Sequence, residues 1–263
     1  MGIYLYLLAI ITGLGTGVIT SLIGASGVMV IVPILTMLFH VNVLSAIGTS
    51  LFVDVIASIA VSYSYYKNGN IELKSGIWIA VSSIVGAQIG ALFASNMGEG
   101  NLSSSFGIIL LLAGFSMVRK KKSEKKSLGE KISSLVDFKA EWQKILTALI
   151  IGFAIGILSG IFGAGGGVMI LLALTIILAF PLHKAIGTST LIMAITALSS
   201  TVGYGIRGNI NITLGVVISL GAIIGGVLGS RFANKINEDV LKKVVGASFM
   251  AMGVIMFAIE KLA

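Results

Sequence analysis

The chain has 263 residues, of which 56% are hydrophobic and only 11% charged, with a mean hydropathy of +1.06; a soluble domain carries roughly 25% charged residues, so composition excludes an ordinary soluble protein and requires a polytopic membrane protein. The formal charge of +8 is no sign of nucleic-acid binding, because excess Lys and Arg in so apolar a chain belongs in cytoplasmic loops of a bilayer protein. With no cysteine there is no disulfide, thiolate nucleophile or cysteine-ligated metal, and two histidines without a carboxylate cluster leave no zinc pattern and no expected cofactor.

In chain order, the first apolar run covers 3–23, long enough for a full crossing. Met1 to Tyr6 lacks a basic leader, so the run reads as a membrane helix rather than a cleavable signal. Gly24-Ala25-Ser26-Gly27 interrupts it. The second run, 28–40, reaches only ~20 Å of a hydrocarbon layer about 30 Å thick, which predicts half of a re-entrant hairpin or an incomplete span. Runs at 44–66, 74–96 and 103–118 follow; the first of these carries Gly48-Thr49-Ser50 near its start and Asp54 in its interior. The stretch 119–144 holds 13 of the chain's charged residues, nine of them Lys or Arg, and separates 1–118 from 145–263. Apolar runs resume at 145–162, 167–180, 185–206, 212–233 and 240–259.

The second set repeats the first. A shift of 139 positions superimposes Gly13–Gly107 on Gly152–Gly246 without a gap, matching Gly24 and Gly27 with Gly163 and Gly166. The same shift matches Ala46-Ile47-Gly48-Thr49-Ser50 with Ala185-Ile186-Gly187-Thr188-Ser189, and Gly69-Asn70-Ile71 with Gly208-Asn209-Ile210. A pattern held in register over that length is a duplication. If 1–40 and 142–180 are out-and-back hairpins, 16 of the 18 Lys and Arg fall on one side, leaving only Arg207 and Lys261 on the other. Treating each as one long span gives the weaker split of 13 against 5, so the positive-inside rule favours hairpins. Three further crossings per copy then make the crossing number odd. The expectation is an all-α polytopic membrane protein of two inverted-topology repeats, about five helical segments each, with a short glycine-interrupted hairpin in each repeat. The termini lie outside and the basic linker 119–144 is cytoplasmic.

Three elements are candidates for chemistry. Gly24-Ala25-Ser26-Gly27 and Gly163-Ala164-Gly165-Gly166 break helices inside the bilayer, where free backbone groups survive only beside protein or a water-filled cavity. The amides opening the following short helix suit a small oxyanion; the alternative is close helix packing, the reading given to Gly13/Gly17, Gly86/Gly90 and Gly221/Gly225/Gly229. Gly48-Thr49-Ser50 and Gly187-Thr188-Ser189 offer hydroxyls to a sulfite, sulfonate or carboxylate, or bond back to their own helix. Asp54, whose repeat partner is Met193, is the one acid well inside a predicted helix. It is a candidate for proton or cation coupling, against a structural role paired with Ser50 or Ser58. Lys67 and Arg207 could draw anions to the two mouths. His40, Tyr4, Tyr6, Tyr204, Trp78 and Trp142 read as interface-belt residues, and Gln88 as an interhelical hydrogen-bonding residue.

The Gly-rich break followed about 20 residues on by Ala-Ile-Gly-Thr-Ser resembles the sulfite exporter TauE/SafE family of bacterial membrane permeases. Gly160-Ile161-Phe162-Gly163-Ala164-Gly165-Gly166-Gly167 is the closer match, and the first copy departs from it at Ser26 and Val28. The resemblance implies transport of small sulfur-containing anions such as sulfite or organosulfonates. An anion channel and a membrane-embedded enzyme are the alternatives; the second lacks a metal-ligand cluster, a nucleophile–base pair or a nucleotide motif. Substrate, lipid bilayer and a coupling proton are the expected partners.

Overall fold

A computed structural model describes residues 3–94, 141–162, 166–178 and 180–262, with isolated positions between 108 and 117. The linker at 119–140 and Gly163, Ala164 and Gly165 lie outside the described residues, as does the side chain of Gln88. The described chain is helical: α1 (Ile3–Ile23), α2 (Val28–Met37), α3 (Val43–Lys67), α4 (Leu73–Ala94), α5 (Glu141–Phe162), α6 (Gly166–Leu172, continued by a π-helical turn at Ala173–Ile177), α7 (Leu182–Ile206), α8 (Ile212–Lys235) and α9 (Glu238–Leu262). Four segments, Tyr4–Ile23, Val43–Lys67, Leu182–Ile206 and Ile212–Lys235, are long and apolar enough to cross a membrane. At 1.5 Å per residue the 10-residue α2 rises only ~15 Å, half a bilayer.

The surface and interior are distributed as lipid demands. On α8, Val216, Leu220, Ile224, Leu228 and Phe232 are all exposed, an apolar stripe at four-residue spacing, and Leu7, Ile11 and Leu14 continue it on α1. Among the described residues the buried polar ones are Ser and Thr with one exception, Asp54. Hydroxyls are admissible inside because most donate to a carbonyl three or four residues back, as Thr16 does to Thr12 and Gly13 and Ser83 does to Ala80.

Small residues let backbones touch. On α1, Gly13 and Gly17 meet the carbonyls of Ile218 and Ala222 on α8, while Gly225 meets the carbonyl of Leu14, so α1 and α8 run parallel. On α5, Gly152 and Gly156 meet Ile79 and Ser83 of α4, and Gly86 meets Phe153, so α4 and α5 also run parallel. Each of these contacts maps onto another when 139 is added to one partner and subtracted from the other. At the centre, Gly48 at the start of α3 lies against the Asn209 carbonyl and Tyr204 beyond the middle of α7, and Gly187 at the start of α7 lies against the Asn70 carbonyl and Tyr65. α3 and α7, equivalent by the repeat, are therefore antiparallel.

The connections follow the same correspondence. Gly69 and Gly208 both take φ +70 in the turns leaving α3 and α7, a left-handed conformation that glycine adopts without a Cβ penalty. The amides of Asn70 and Asn209 donate to the Tyr65 and Tyr204 carbonyls at 2.9 and 3.0 Å. Helix starts differ in detail. The Asn42 side chain accepts the Leu44 amide at 2.9 Å, an Asx cap; the equivalent residue is Pro181, and Glu238 of α9 takes over by accepting the Leu182 amide at 2.8 Å. That bond fixes the start of α9 to the start of α7.

The short helices also diverge. After α2 the Leu38 amide donates to Ile34 at 3.0 Å, four residues back, whereas in the second copy the Leu178 amide donates to Ala173 at 3.1 Å, five back. Both then close with a six-residue bond, Val41 to Leu35 and Phe180 to Leu174, each 3.0 Å. A single π turn inserted in one member of a repeated pair marks the position where the two halves were shaped differently.

Candidate functional site

The first break opens with Gly24 at φ +65, its amide returned to the Thr20 carbonyl at 2.8 Å, which ends α1 and turns the chain. Gly24 lies directly on Ser189 of α7, leaving no room for a side chain. Ala25 is buried, and the chain re-enters helix at Val28 with Gly27 as its N-cap.

The N-terminal groups of α2 are not empty. The Gly27 amide donates to Asp54 Oδ1 at 2.9 Å, the Ser26 hydroxyl donates to Asp54 Oδ2, and the Val28 amide donates to Ser26 Oγ at 3.1 Å. Asp54 is 2% exposed. A carboxylate from α3 thus occupies the place at the helix N-terminus where an oxyanion would sit, held by an amide, a hydroxyl and the positive end of the α2 dipole. This corrects the expectation that Asp54 pairs with Ser50 or Ser58. Those residues share its helical face, but their hydroxyls are fully buried and without a hydrogen-bond partner. Ser26 wins because the broken backbone around it leaves its hydroxyl free to turn towards α3, while Val28 satisfies its oxygen.

The start of α6 comes to the same place. A β-carbon on Gly167 would stand 2.5 Å from the Gly24 carbonyl oxygen, 2.8 Å from Met193 Sδ and 3.1 Å from Ala25 Cα. Gly24, Ala25, Ser26, Gly27, Asp54, Gly167, Ser189 and Met193 therefore form one buried cluster where the first break, the start of α6 and both central helices meet. Gly166 begins α6 beside it. At the position of Asp54 the second copy has a thioether, so only one half carries a carboxylate.

Thr49 and Thr188, expected to face an anion, are engaged elsewhere. Thr49 Oγ1 donates to the Ser45 carbonyl at 2.6 Å and accepts the Asn211 amide at 2.8 Å; Thr188 Oγ1 accepts the Glu72 amide at 3.1 Å. Asn211 and Glu72 are equivalent by the repeat, so these are two copies of one clasp, set at opposite ends of the α3–α7 pair. Gly48 and Gly187 supply the close approach that each clasp needs. Ser189 donates to the Ile186 carbonyl at 2.9 Å, and Ser50 remains unpartnered. Sequence spacing could not separate the clasp residues from the site residues, because Thr49, which holds a clasp, and Ser50, which has no partner, are neighbours in the chain.

A groove of about 620 Å³ opens above the first clasp, lined by Phe39, His40, Val41, Asn42, Ser45 and residues 210–212. Arg207 is exposed at the end of α7 on this side. Lys67, exposed at the end of α3, stands at the opposite side of the bundle with its ammonium 4.6 Å from the Tyr63 ring centroid. Among the described residues no three His, Asp or Glu side chains converge as metal ligands.

Among the described residues, an apolar exterior, four helices long and apolar enough to cross a membrane, a pair of half-length helices and a buried polar break are the features of a polytopic membrane protein, and its family and relatives make it a membrane transporter. The chain belongs to the sulfite exporter TauE/SafE family, whose model matches residues 9–256. It is 30% identical to the probable membrane transporter protein YdhB of Bacillus subtilis, over 87% of this chain and 91% of that one. It is 28% identical to the probable membrane transporter protein YunE of the same organism, over 94% and 96%, and 28% identical to the probable membrane transporter protein MJ0441 of Methanocaldococcus jannaschii, over 95% and 94%. No solved structure matches.

Proposed function

We propose that the protein is a secondary transporter of small sulfur-containing anions, sulfite or an organosulfonate, working by alternating access around the site where the first break meets the start of α6. The observation that carries this reading is the α2 N-terminus, which already holds an oxyanion-shaped group through an amide and a hydroxyl. Antiparallel α3 and α7 support two inverted repeats, and the Lys and Arg distribution favours a cytoplasmic membrane with the termini outside and 119–144 cytoplasmic. In that arrangement the two clasps lie towards opposite faces, and opening one while the other stays closed exposes the central cluster to one side at a time. Arg207 and Lys67 then stand at the outer and inner mouths.

The test is sulfite flux into proteoliposomes. A transporter gives saturable uptake that responds to an imposed gradient; a channel gives unsaturated flux, and an enzyme none. A single substitution addresses the site. A β-carbon at Gly27 would lie 3.3 Å from Asp54 Oδ1 and 3.2 Å from Thr16 Cβ and Ile31 Cδ1, tight but with side chains rather than backbone in the way. Gly27→Ala is therefore expected to fold, to express as a monodisperse protein, and to lose most of the sulfite-induced rise in Tm. A full rise in that variant places the site away from α2.

A further inference from the structure

Resting on the anion-transport reading, we propose that Asp54 is a tethered competitor for the substrate: its carboxylate fills the first-half anion seat at Ser26 and Gly27, and the substrate anion enters only as that carboxylate takes up a proton. The donors are shared by necessity. The Gly27 amide has one hydrogen, and the Ser26 hydroxyl has one, and both are directed at Asp54. An incoming sulfite or sulfonate oxygen can use them only when they are released.

Charge makes the exclusion strict. Two anions in a buried site of low dielectric repel unless a cation joins them or one is neutralised. Among the described residues no such cation exists at this depth. Around the site, α1 presents Thr16, α2 presents Ile31 and α7 presents Ser189 and Met193. The ionisable groups of the helices packed on α3 stand towards their ends: Tyr4 and Tyr6 on α1, His183, Lys184, Tyr204 and Arg207 on α7, Arg231 and Lys235 on α8; α2 has none, and on α3 itself Tyr63, Tyr65, Tyr66 and Lys67 lie more than two turns from Asp54. The remaining neutralising species is a proton on Asp54 itself.

The flanking hydroxyls supply the independent sign of a ligand. Ser50 and Ser58 lie one turn on either side of Asp54 on the same face, fully buried, with no partner for either oxygen. Two unsatisfied buried hydroxyls beside a carboxylate are donors in reserve: they offer a protonated, displaced Asp54 or a bound anion the hydrogen bonds it otherwise lacks. The second half needs no such device because Met193 replaces the acid. One substrate anion is thus matched to one proton, and the coupling resides in the first half alone.

Calorimetry with sulfite and purified full-length protein, repeated in two buffers of different ionisation enthalpy, counts protons taken up on binding. The Asp54→Asn protein run in parallel cancels the protons that sulfite itself carries. The wild type is expected to take up one more proton per sulfite than Asp54→Asn, and its affinity to fall up to tenfold further per pH unit above the titration of Asp54. Asp54→Ser, neutral and smaller, serves the same comparison should the amide variant misfold. Equal proton counts and equal pH slopes in wild type and either neutral variant overturn the proposal while leaving sulfite transport intact. Absence of both sulfite binding and sulfite flux in every protein overturns the anion-transport reading, and this inference with it.

Discussion

Gly17→Leu is expected to destabilise the folded protein by roughly 3 kcal/mol or more, near the upper end for overpacking a close contact, and to leave little monodisperse protein after extraction. The reason is that α1 and α8 touch through backbone. A β-carbon at Gly17 would clash with the Ala222 carbonyl oxygen and lie 2.7 Å from the Gly226 amide nitrogen, and neither atom belongs to a side chain that could rotate away. In lipid this contact is not supported by exclusion of water, since the acyl chains are as apolar as the helix, and dispersion between closely fitted backbones holds the pair. Gly15→Leu is the matched control. Nothing lies within 4 Å of its β-position, so the leucine faces lipid and the Tm should hardly change. Equal losses in the two variants would mean that α1 does not pack on α8 as described.

The second large effect is expected from the clasps. Thr49→Val and Thr188→Val preserve shape but remove the acceptors of the Asn211 and Glu72 amides, contacts made across 162 and 116 residues of sequence. Leaving a fully buried N–H unpaired costs about 1–3 kcal/mol, an upper bound for these half-buried amides, so each variant should unfold earlier. The clasps sit at opposite ends of the α3–α7 pair and share no partner, so the double variant should lose about the sum, with an upper bound of roughly 2–6 kcal/mol. A loss in the double variant no greater than in either single one would show that the two ends are not independent. If the clasps act as the gates of alternating access, the single variants should also bias the protein towards opposite-facing states, which accessibility labelling from the two sides of a vesicle would report.

Much of this architecture was legible without coordinates, and for definite reasons. The 139-residue shift works because close approaches demand small residues at fixed places, Gly13 with Gly152 and Gly48 with Gly187, and because the turns at Gly69 and Gly208 both need a positive φ. The short second runs were legible from length alone, and the structure stops α2 at Met37, inside the run expected to reach residue 40, where His40 turns to φ 51. The site was only half legible. Glycine clusters announce a break, and an intramembrane acid announces a role, but the bond between them joins Ser26 to Asp54 across 28 residues. Helical spacing pointed to Ser50 and Ser58, which are close to Asp54 along the helix but stacked a full turn away on it. The Gly-Thr-Ser blocks carry a second reading that spacing does not reveal. In the structure both blocks meet a packing demand at the two ends of one helix pair, and a hydroxyl that accepts a distant amide looks the same in sequence as one that donates to a substrate. The π turn at Ala173–Ile177 has no composition signal at all, since Ala-Leu-Thr-Ile-Ile reads as ordinary helix.

The parallel contact between α1 and α8 also constrains how the protein is made. The glycine face of α1 is complete after some twenty residues of synthesis, but the face it needs lies around Ile218 to Gly226, about two hundred residues later. At a translation rate of roughly 5–20 residues per second the first helix waits on the order of 10–40 s in the bilayer before its partner is produced. During that interval the polar stripe of Thr12, Thr16 and Thr20, buried in the finished bundle, has to be screened by neighbours still arriving or by the insertion machinery. Neither duplicated half closes its own packing: α1 is completed by the second copy and α5 by the first. Assembly is therefore a late event, and a ribosome that stops between α5 and α8 leaves α1 without its partner for the quality-control proteases to find.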